Sequence, residues 1–128
     1  MSDDFPEDLK QFLADHISSV AQLEALLLLR SGREREWTAE DVSRSLYTTA
    51  EMATEQLAEL HARGLVARKE DSGVRFQYWP ATPELDAQVG RLDTTYRERR
   101  VAVITAIYSQ PVDKVRTFAD AFRLRKDK

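Results

Sequence analysis

The chain has 128 residues, a formal net charge of −3, 42% hydrophobic and 32% charged residues, and no cysteine. This composition indicates one soluble globular domain with its own core and argues against a disordered chain. The absence of cysteine excludes disulfides, a thiolate nucleophile and a cysteine zinc site. The acidic N-terminus lacks the apolar stretch of a signal peptide, so we expect a cytoplasmic protein.

Charge is unevenly distributed between the two halves of the chain. Residues 1–64 hold 13 acidic and 6 basic residues, whereas residues 65–128 hold 9 acidic and 13 basic residues. Nonspecific attraction to nucleic acid is typical of basic chains, so the overall charge argues against it. We therefore expect any contact with nucleic acid to depend on the second half.

Two helices are predicted near the N-terminus, both with apolar side chains at helical spacing. The first covers residues 5–16, where acidic residues in the first turn favour the positive end of the helix. The second begins at Ser19, which forms a capping-box pattern with Gln22. Gly32 ends this second helix.

Two shorter helices follow, separated by a turn. Thr38 is predicted to cap the first of them, which ends near Leu46. Thr48 is predicted to cap the next helix, with Glu51 completing a capping box. Gly64 ends that helix, because glycine readily adopts the left-handed conformation found after a helix C-terminus.

The spacing of apolar residues changes from helical to alternating after residue 64. Residues 65–69 and 74–79 each predict a strand, and Gly73 between them suits a turn that needs a positive φ. The sequence therefore predicts a β-hairpin directly after the pair of short helices.

A long helix is predicted from the N-cap Thr82 to about Ser109, roughly 40 Å at 1.5 Å per residue. Pro111 ends it, and a last helix is predicted over residues 112–125. A domain this small cannot cover such a helix, so we expect its heptad-like apolar seam to meet a second copy across a two-fold axis. The predicted homodimer interface consists of Leu85, Val89, Leu92, Tyr96, Val103, Ile107, Phe118 and Phe122.

The segments 37–42 and 57–66 together resemble the winged helix-turn-helix of bacterial transcriptional regulators such as the MarR and PadR families. The stretch from Leu57 to Val66 matches the leucine-x-x-leucine and glycine-leucine-valine pattern that closes the recognition helix in those families. The resemblance covers about residues 20–80. It implies a mainly α fold with a small β-hairpin, in which that hairpin is the wing.

The resemblance also implies a domain organisation. A winged helix-turn-helix domain with an added N-terminal helix occupies residues 1–80, with the recognition helix at about 49–63 and the wing at about 65–79. A helical dimerisation extension occupies residues 81–128, and the two parts form a single compact unit.

The function implied by the resemblance is that of a homodimeric transcriptional regulator that binds double-stranded DNA. Phosphate and base contacts require cationic and hydrogen-bonding side chains on the helix pair and the wing. The predicted DNA-contacting residues are Arg44, Thr48, Thr49, Thr54, Arg68, Lys69 and Arg75.

The outward face of the predicted recognition helix is acidic. When Ala53 and Leu57 face inward, Glu51 and Glu55 face outward, and carboxylates repel DNA phosphates. A second interpretation therefore stays open. In it, the chain is a winged-helix interaction module that does not bind DNA and meets a protein partner through the acidic face around Glu51 and Glu55.

Enzyme motifs are missing from the sequence. His16 and His61 are its two histidines, and neither has a second metal ligand or a nucleophile at a useful spacing. The four glycines are scattered and form no phosphate-binding loop. We therefore expect no catalytic activity, no metal and no cofactor.

Overall fold

The computed structural model describes residues 6–109 of the chain. Within that range, the chain forms six helices and one antiparallel hairpin. The elements are α1 Glu7–His16, α2 Val20–Ser31, α3 Ala39–Leu46, α4 Ala50–Ala62, β1 Val66–Glu70, β2 Val74–Tyr78, α5 Pro83–Glu98 and α6 Arg100–Tyr108. This order confirms the predicted mainly α fold with a small β-hairpin. The predicted last helix, with Phe118 and Phe122, lies outside the described residues.

The core is one continuous cluster centred on α2, which packs against α3, α4 and β2. Leucines supply most of the buried α2 surface, and Ser19 caps the helix by accepting a hydrogen bond from the Gln22 backbone N–H. The predicted capping box is only half formed, because the Gln22 side-chain oxygen accepts from the Ser18 N–H at 2.6 Å instead of from the Ser19 N–H. The apolar face predicted for the first helix is also confirmed for Leu9, Phe12 and Leu13, which are almost fully buried.

The first helix of the helix-turn-helix is held by a complete capping box. The Thr38 hydroxyl accepts from the Asp41 backbone N–H at 3.0 Å, and the Asp41 carboxylate accepts from the Thr38 N–H at 3.1 Å. Tyr47 ends α3 in the left-handed conformation, with φ of 56°. Tyrosine rarely adopts this conformation, and here it produces the sharp turn that leads into α4.

The predicted cap of α4 is wrong by one residue. Thr49 is the N-cap, and its hydroxyl accepts from the Met52 N–H at 3.0 Å. Thr48 still belongs to the preceding turn, because its backbone N–H donates to the Ser43 carbonyl at 3.0 Å. The predicted capping box of Thr48 with Glu51 therefore does not form, since Glu51 is the second residue of the helix instead of the third.

The hairpin pairs β1 with β2 and places Lys69 directly opposite Arg75. Trp37 adds a short third segment, because its backbone N–H and carbonyl exchange hydrogen bonds with Phe76 at 2.7 and 2.8 Å. Gly73 in the turn has φ of 126°, a conformation that favours glycine. The strands and the turn agree with the sequence prediction to within one residue.

The single long helix predicted after the wing is wrong. Arg99 leaves the helical conformation, with φ of −134° and ψ of 58°, and separates α5 from α6. The break is accompanied by packing of α6 against α1. The continuous helix of roughly 40 Å therefore does not exist.

The apolar seam of these helices lies inside the chain's own core. Val89, Leu92, Tyr96, Val103 and Ile107 are buried without a second copy, and Leu85 packs partly buried against the same cluster. One chain covers this seam, contrary to the prediction, because α1 packs against both α5 and α6. These side chains therefore do not form an exposed surface that a second copy would have to cover.

No single helix within residues 6–109 is long and apolar enough to cross a bilayer. The pair α1 and α2 meets that criterion only when the two helices are joined across a bend of 100°.

The adjacent threonines before α4 provide a matched test of the cap. Thr49→Ala is expected to lower the free energy of unfolding by about 1 kcal/mol, because it removes the acceptor for a backbone N–H in the first turn. Thr48→Ala is expected to change it by less than about 0.5 kcal/mol, as exposed substitutions usually do. Urea unfolding followed by circular dichroism measures both variants, and equal effects would contradict the assignment of Thr49 as the cap.

Candidate nucleic-acid interface

Helix α4 has one face buried in the core and one face exposed. Ala53, Leu57 and Leu60 are almost fully buried and face the core. Thr54 and Glu55 lie on the exposed side. This arrangement is what a recognition helix needs, because its inner face must pack while its outer face enters the major groove.

The chemistry of the uncovered α4 face is acidic and apolar. Glu51 and Glu55 are exposed, and within residues 6–109 neither forms an ion pair. Met52 is 42% exposed in the same turn. The Thr54 hydroxyl donates to the Ala50 carbonyl at 2.8 Å, so it is already engaged in the helix. The face therefore offers few donors for base edges or phosphates.

The hairpin carries the three predicted wing cations, and each of them is paired with a carboxylate. Arg68 contacts Glu70 across 3.3 Å. Lys69 Nζ lies 2.7 Å from Glu36 Oε2, and Arg75 Nη1 lies 3.6 Å from Glu36 Oε1. The hydrogen bond from Lys69 lowers the pKa of the Glu36 carboxyl below its ordinary value, so this group stays ionised near neutral pH.

A second cationic group lies at the start of α3. Asp41 forms ion pairs with Arg44 at 3.1 Å and with Arg35 at 3.3 Å. The hydrogen bond from the Thr38 backbone N–H lowers the pKa of the Asp41 carboxyl. The Arg35 guanidinium also lies 3.8 Å from the centre of the Trp37 ring. Arg44 is among the residues predicted from the sequence and Arg35 is not, although Trp37, two residues after Arg35, is a weak signal for a cation–π contact.

The predicted DNA-contacting residues thus fall into three places on the structure. Lys69 and Arg75 lie opposite each other on one face of the hairpin, whereas Arg68 pairs with Phe76 on the other face. Arg44 lies on α3. The threonines lie at the start and on the exposed side of α4, with the roles of a cap for Thr49 and an internal hydrogen bond for Thr54.

A network of three side chains, Tyr78, Asp86 and Arg33, connects the wing to α5. The Tyr78 hydroxyl donates to Asp86 Oδ1 at 2.7 Å, and Arg33 Nη2 pairs with Asp86 Oδ2 at 3.2 Å. Arg33 also lies over the Tyr78 ring, 5.0 Å from its centre. Hydrogen bonding from Tyr78 lowers the pKa of the Asp86 carboxyl, and burial raises the pKa of the Tyr78 hydroxyl. The base of β2 is therefore held at a defined position relative to α5.

An ion pair between α2 and α5 explains the glycine within α5. Arg30 Nη1 pairs with Asp93 Oδ2 at 2.9 Å, and both side chains are mostly buried. A Cβ atom added at Gly90 would lie 2.9 Å from Arg30 Nη2. The guanidinium therefore rests against the α5 backbone, where a larger residue would displace it.

The two histidines are engaged locally. The His16 ring stacks on Phe12 at 4.7 Å between centroids, and the His61 ring nitrogen Nδ1 lies 3.0 Å from the Val66 carbonyl oxygen. Among residues 6–109, no group of three or more His, Asp or Glu side chains is arranged to hold a metal ion.

Comparisons with known proteins place this arrangement in a known fold. No protein-family profile matches the chain, and no curated protein matches it in sequence. The transcription regulator MepR of Staphylococcus aureus superposes with a TM-score of 0.55 at 15% identity, covering 95% of this chain and 89% of MepR. A MepR mutant bound to an oligodeoxyribonucleotide gives a TM-score of 0.56 at 15% identity, covering 95% of this chain and 88% of that one.

A third solved structure extends the likeness. The homodimeric winged helix-turn-helix DNA-binding domain of a possible ArsR-family transcriptional regulator from Mycobacterium bovis has a TM-score of 0.53 at 19% identity. The match covers 77% of this chain and 90% of that domain. At these identities the likeness establishes the fold, which is the winged helix-turn-helix. The predicted resemblance is therefore confirmed at the level of fold, and these neighbours are transcription regulators.

The Tyr78–Asp86–Arg33 network makes stability depend on pH. The pKa of Asp86 is lowered in the folded chain, so its contribution is present above the unfolded carboxyl value of about 3.9 and is lost as pH falls. Asp86→Asn should therefore unfold at a lower urea concentration than the unsubstituted chain at pH 7, and this gap should narrow as the pH falls below about 3.9.

Glu84→Gln is the matched control, because Glu84 is exposed in the first turn of the same helix. We expect it to shift the urea midpoint less than Asp86→Asn does at pH 7. A gap for Asp86→Asn that stayed constant from pH 7 to about pH 3 would show that the carboxylate charge does not stabilise the network.

Proposed function

We propose that the chain is a DNA-binding transcriptional regulator that acts as a homodimer. The observation that carries this proposal is the uncovered outer face of α4, a helix that packs against β1 of a hairpin carrying three cations. The structural neighbours support it, because they include transcription regulators, one of them bound to an oligodeoxyribonucleotide, and a homodimeric DNA-binding domain. Such a regulator would act in the bacterial cytoplasm, and its function would not be enzymatic.

In this proposal α4 enters the major groove and the wing contacts the flanking backbone. Arg68, Lys69 and Arg75 supply phosphate contacts from the hairpin, and Arg44 reaches the backbone from α3. Thr48 and Thr49 lie at the N-terminal end of α4, where backbone N–H groups and hydroxyls can donate to phosphate. Because α4 itself carries exposed glutamates, most of the electrostatic attraction must come from the wing.

The wing provides the first test of DNA binding. Arg75→Ala should weaken binding to a fragment selected from genomic DNA at low salt. It should also make the plot of log affinity against log salt shallower by about 0.9, since one phosphate contact is lost. Fluorescence anisotropy over a salt series measures both quantities.

Arg91→Ala is the matched control for this experiment. Arg91 is an exposed arginine of α5 that pairs with Asp8 of α1 at 2.7 Å. We expect its loss to leave the salt dependence unchanged. If the unsubstituted protein bound no genomic fragment even at low salt, the regulator proposal would fail.

The homodimer is proposed to form through α6, since the seam predicted from sequence is buried. Helix α6 is apolar almost all round, and a helix of that kind is normally covered on every side. Val101 is 76% exposed and Tyr108 is 66% exposed, with Ile104 partly buried between them. These positions follow helical spacing along one face, which a second copy can cover across a two-fold axis.

The α6 face gives a direct test of assembly. Size-exclusion chromatography with light scattering should report about twice the chain mass of 14.7 kDa at micromolar concentration. Val101→Asp combined with Tyr108→Asp should yield monomers, because burying two carboxylates in an apolar interface is unfavourable. Thr94→Asp on the exposed side of α5 is the control and should leave the dimer intact. A monomeric unsubstituted protein would contradict the proposal.

A second candidate function is supported by the unpaired acidic face of α4. The exposed Glu51 and Glu55, with Met52 between them, suit a basic protein partner better than a phosphate backbone. In that case the chain is a winged-helix interaction module that does not bind DNA. The two candidates differ in the effect of Glu51→Gln with Glu55→Gln, which should strengthen DNA binding in a regulator and weaken binding to a lysine-rich peptide in a module.

A further inference from the structure

We infer that Glu36 is an internal competitor for phosphate, which occupies the wing cations and sets a low affinity of the wing for polyanions. Its two carboxylate oxygens contact the two cations that face each other on the hairpin, Lys69 at 2.7 Å and Arg75 at 3.6 Å. The inference concerns how strongly the wing attracts DNA, so its DNA arm rests on the proposed function.

The position of Glu36 makes this pairing a property of the fold. Glu36 immediately precedes Trp37, whose backbone bonds to Phe76 of β2. That bridge places the carboxylate beside the hairpin, next to the strand pair that carries Lys69 and Arg75. Two cations directly opposite each other on a hairpin repel, and a carboxylate between them relieves this repulsion.

A phosphate that approached this part of the wing would need the same donors. Lys69 and Arg75 have side chains that are roughly half exposed, so solvent and ligands can reach them. Each contact with phosphate requires the cation to leave the carboxylate or to share it. Binding of a polyanion therefore pays for breaking one or two ion pairs, which lowers both the affinity and the number of counterions released.

The charge count of the wing shows why this competition matters. The hairpin from β1 to β2 carries three cations, Arg68, Lys69 and Arg75, and two acidic residues, Glu70 and Asp71. With the Glu36 carboxylate added, the local formal charge is zero. Because α4 contributes only exposed carboxylates, removal of the single charge of Glu36 gives the wing a net positive charge.

The test compares Glu36→Gln with Glu34→Gln. Both substitutions remove one carboxylate from the same loop, but Glu34 is exposed and has no ion-pair partner within residues 6–109. The first readout is the salt concentration at which each protein elutes from immobilised heparin, a sequence-independent polyanion. The second is fluorescence anisotropy with a selected genomic DNA fragment over a salt series.

Glu36→Gln is expected to elute from heparin at higher salt than Glu34→Gln. Glu36→Gln should bind DNA about two to five times more tightly than Glu34→Gln, because this change in affinity corresponds to the free energy of one surface ion pair. The slope of log affinity against log salt should steepen by about 0.9 for each cation released to phosphate. Adding Lys69→Gln to Glu36→Gln should remove most of the gain, because the released cation is then absent.

A purely structural role of Glu36 predicts a different result. Loss of a structural contact would lower the melting temperature without a gain in polyanion binding. Equal heparin elution of Glu36→Gln and Glu34→Gln, or weaker binding of Glu36→Gln, would overturn the inference. A heparin shift without binding to any DNA fragment would instead overturn the proposed function and leave the masking of the wing established.

Discussion

The arrangement of this protein depends on the burial of α2. Helix α2 packs against α3, α4 and β2. The elements that form the candidate interface are therefore all positioned by contacts with one helix. Ala53, Leu57 and Leu60 of α4 are buried in this core, and the opposite side of the helix is exposed. The exposure of the α4 outer face is thus a consequence of how its inner face packs.

Polar links then fix the hairpin and the extension relative to that core. Arg30 on α2 joins Asp93 on α5, and Tyr78 at the end of β2 joins Asp86 near the start of α5. In the ion pair of Arg30 with Asp93, desolvation offsets much of the electrostatic attraction, whereas Tyr78 donates a hydrogen bond to a carboxylate. Their effect here is to hold the wing at a constant position beside α4, which any docking of both elements on one duplex requires.

The electrostatics of the candidate interface differ from the usual expectation for this fold. Exposed carboxylates dominate α4, and the cations of the wing are neutralised by Glu70 and Glu36. Such a surface attracts nucleic acid weakly over long range, so binding would depend on close contacts made after docking.

The sequence by itself determined the order of the elements, the buried stripe of α4 and the turn at Gly73, because these depend on residues a few positions apart. Periodicity placed Ala53 and Leu57 inward correctly, and Thr38 caps α3 as expected. Local signals failed where two neighbouring threonines competed for one cap. They also failed at Arg99, where the sequence predicts a continuous helix but the packing of α6 on α1 accompanies a break. Only the tertiary structure decided that the apolar seam of α5 and α6 is buried and that Glu36 pairs with Lys69 and Arg75. Those contacts join residues tens of positions apart, so they exist only once the core has brought the elements together.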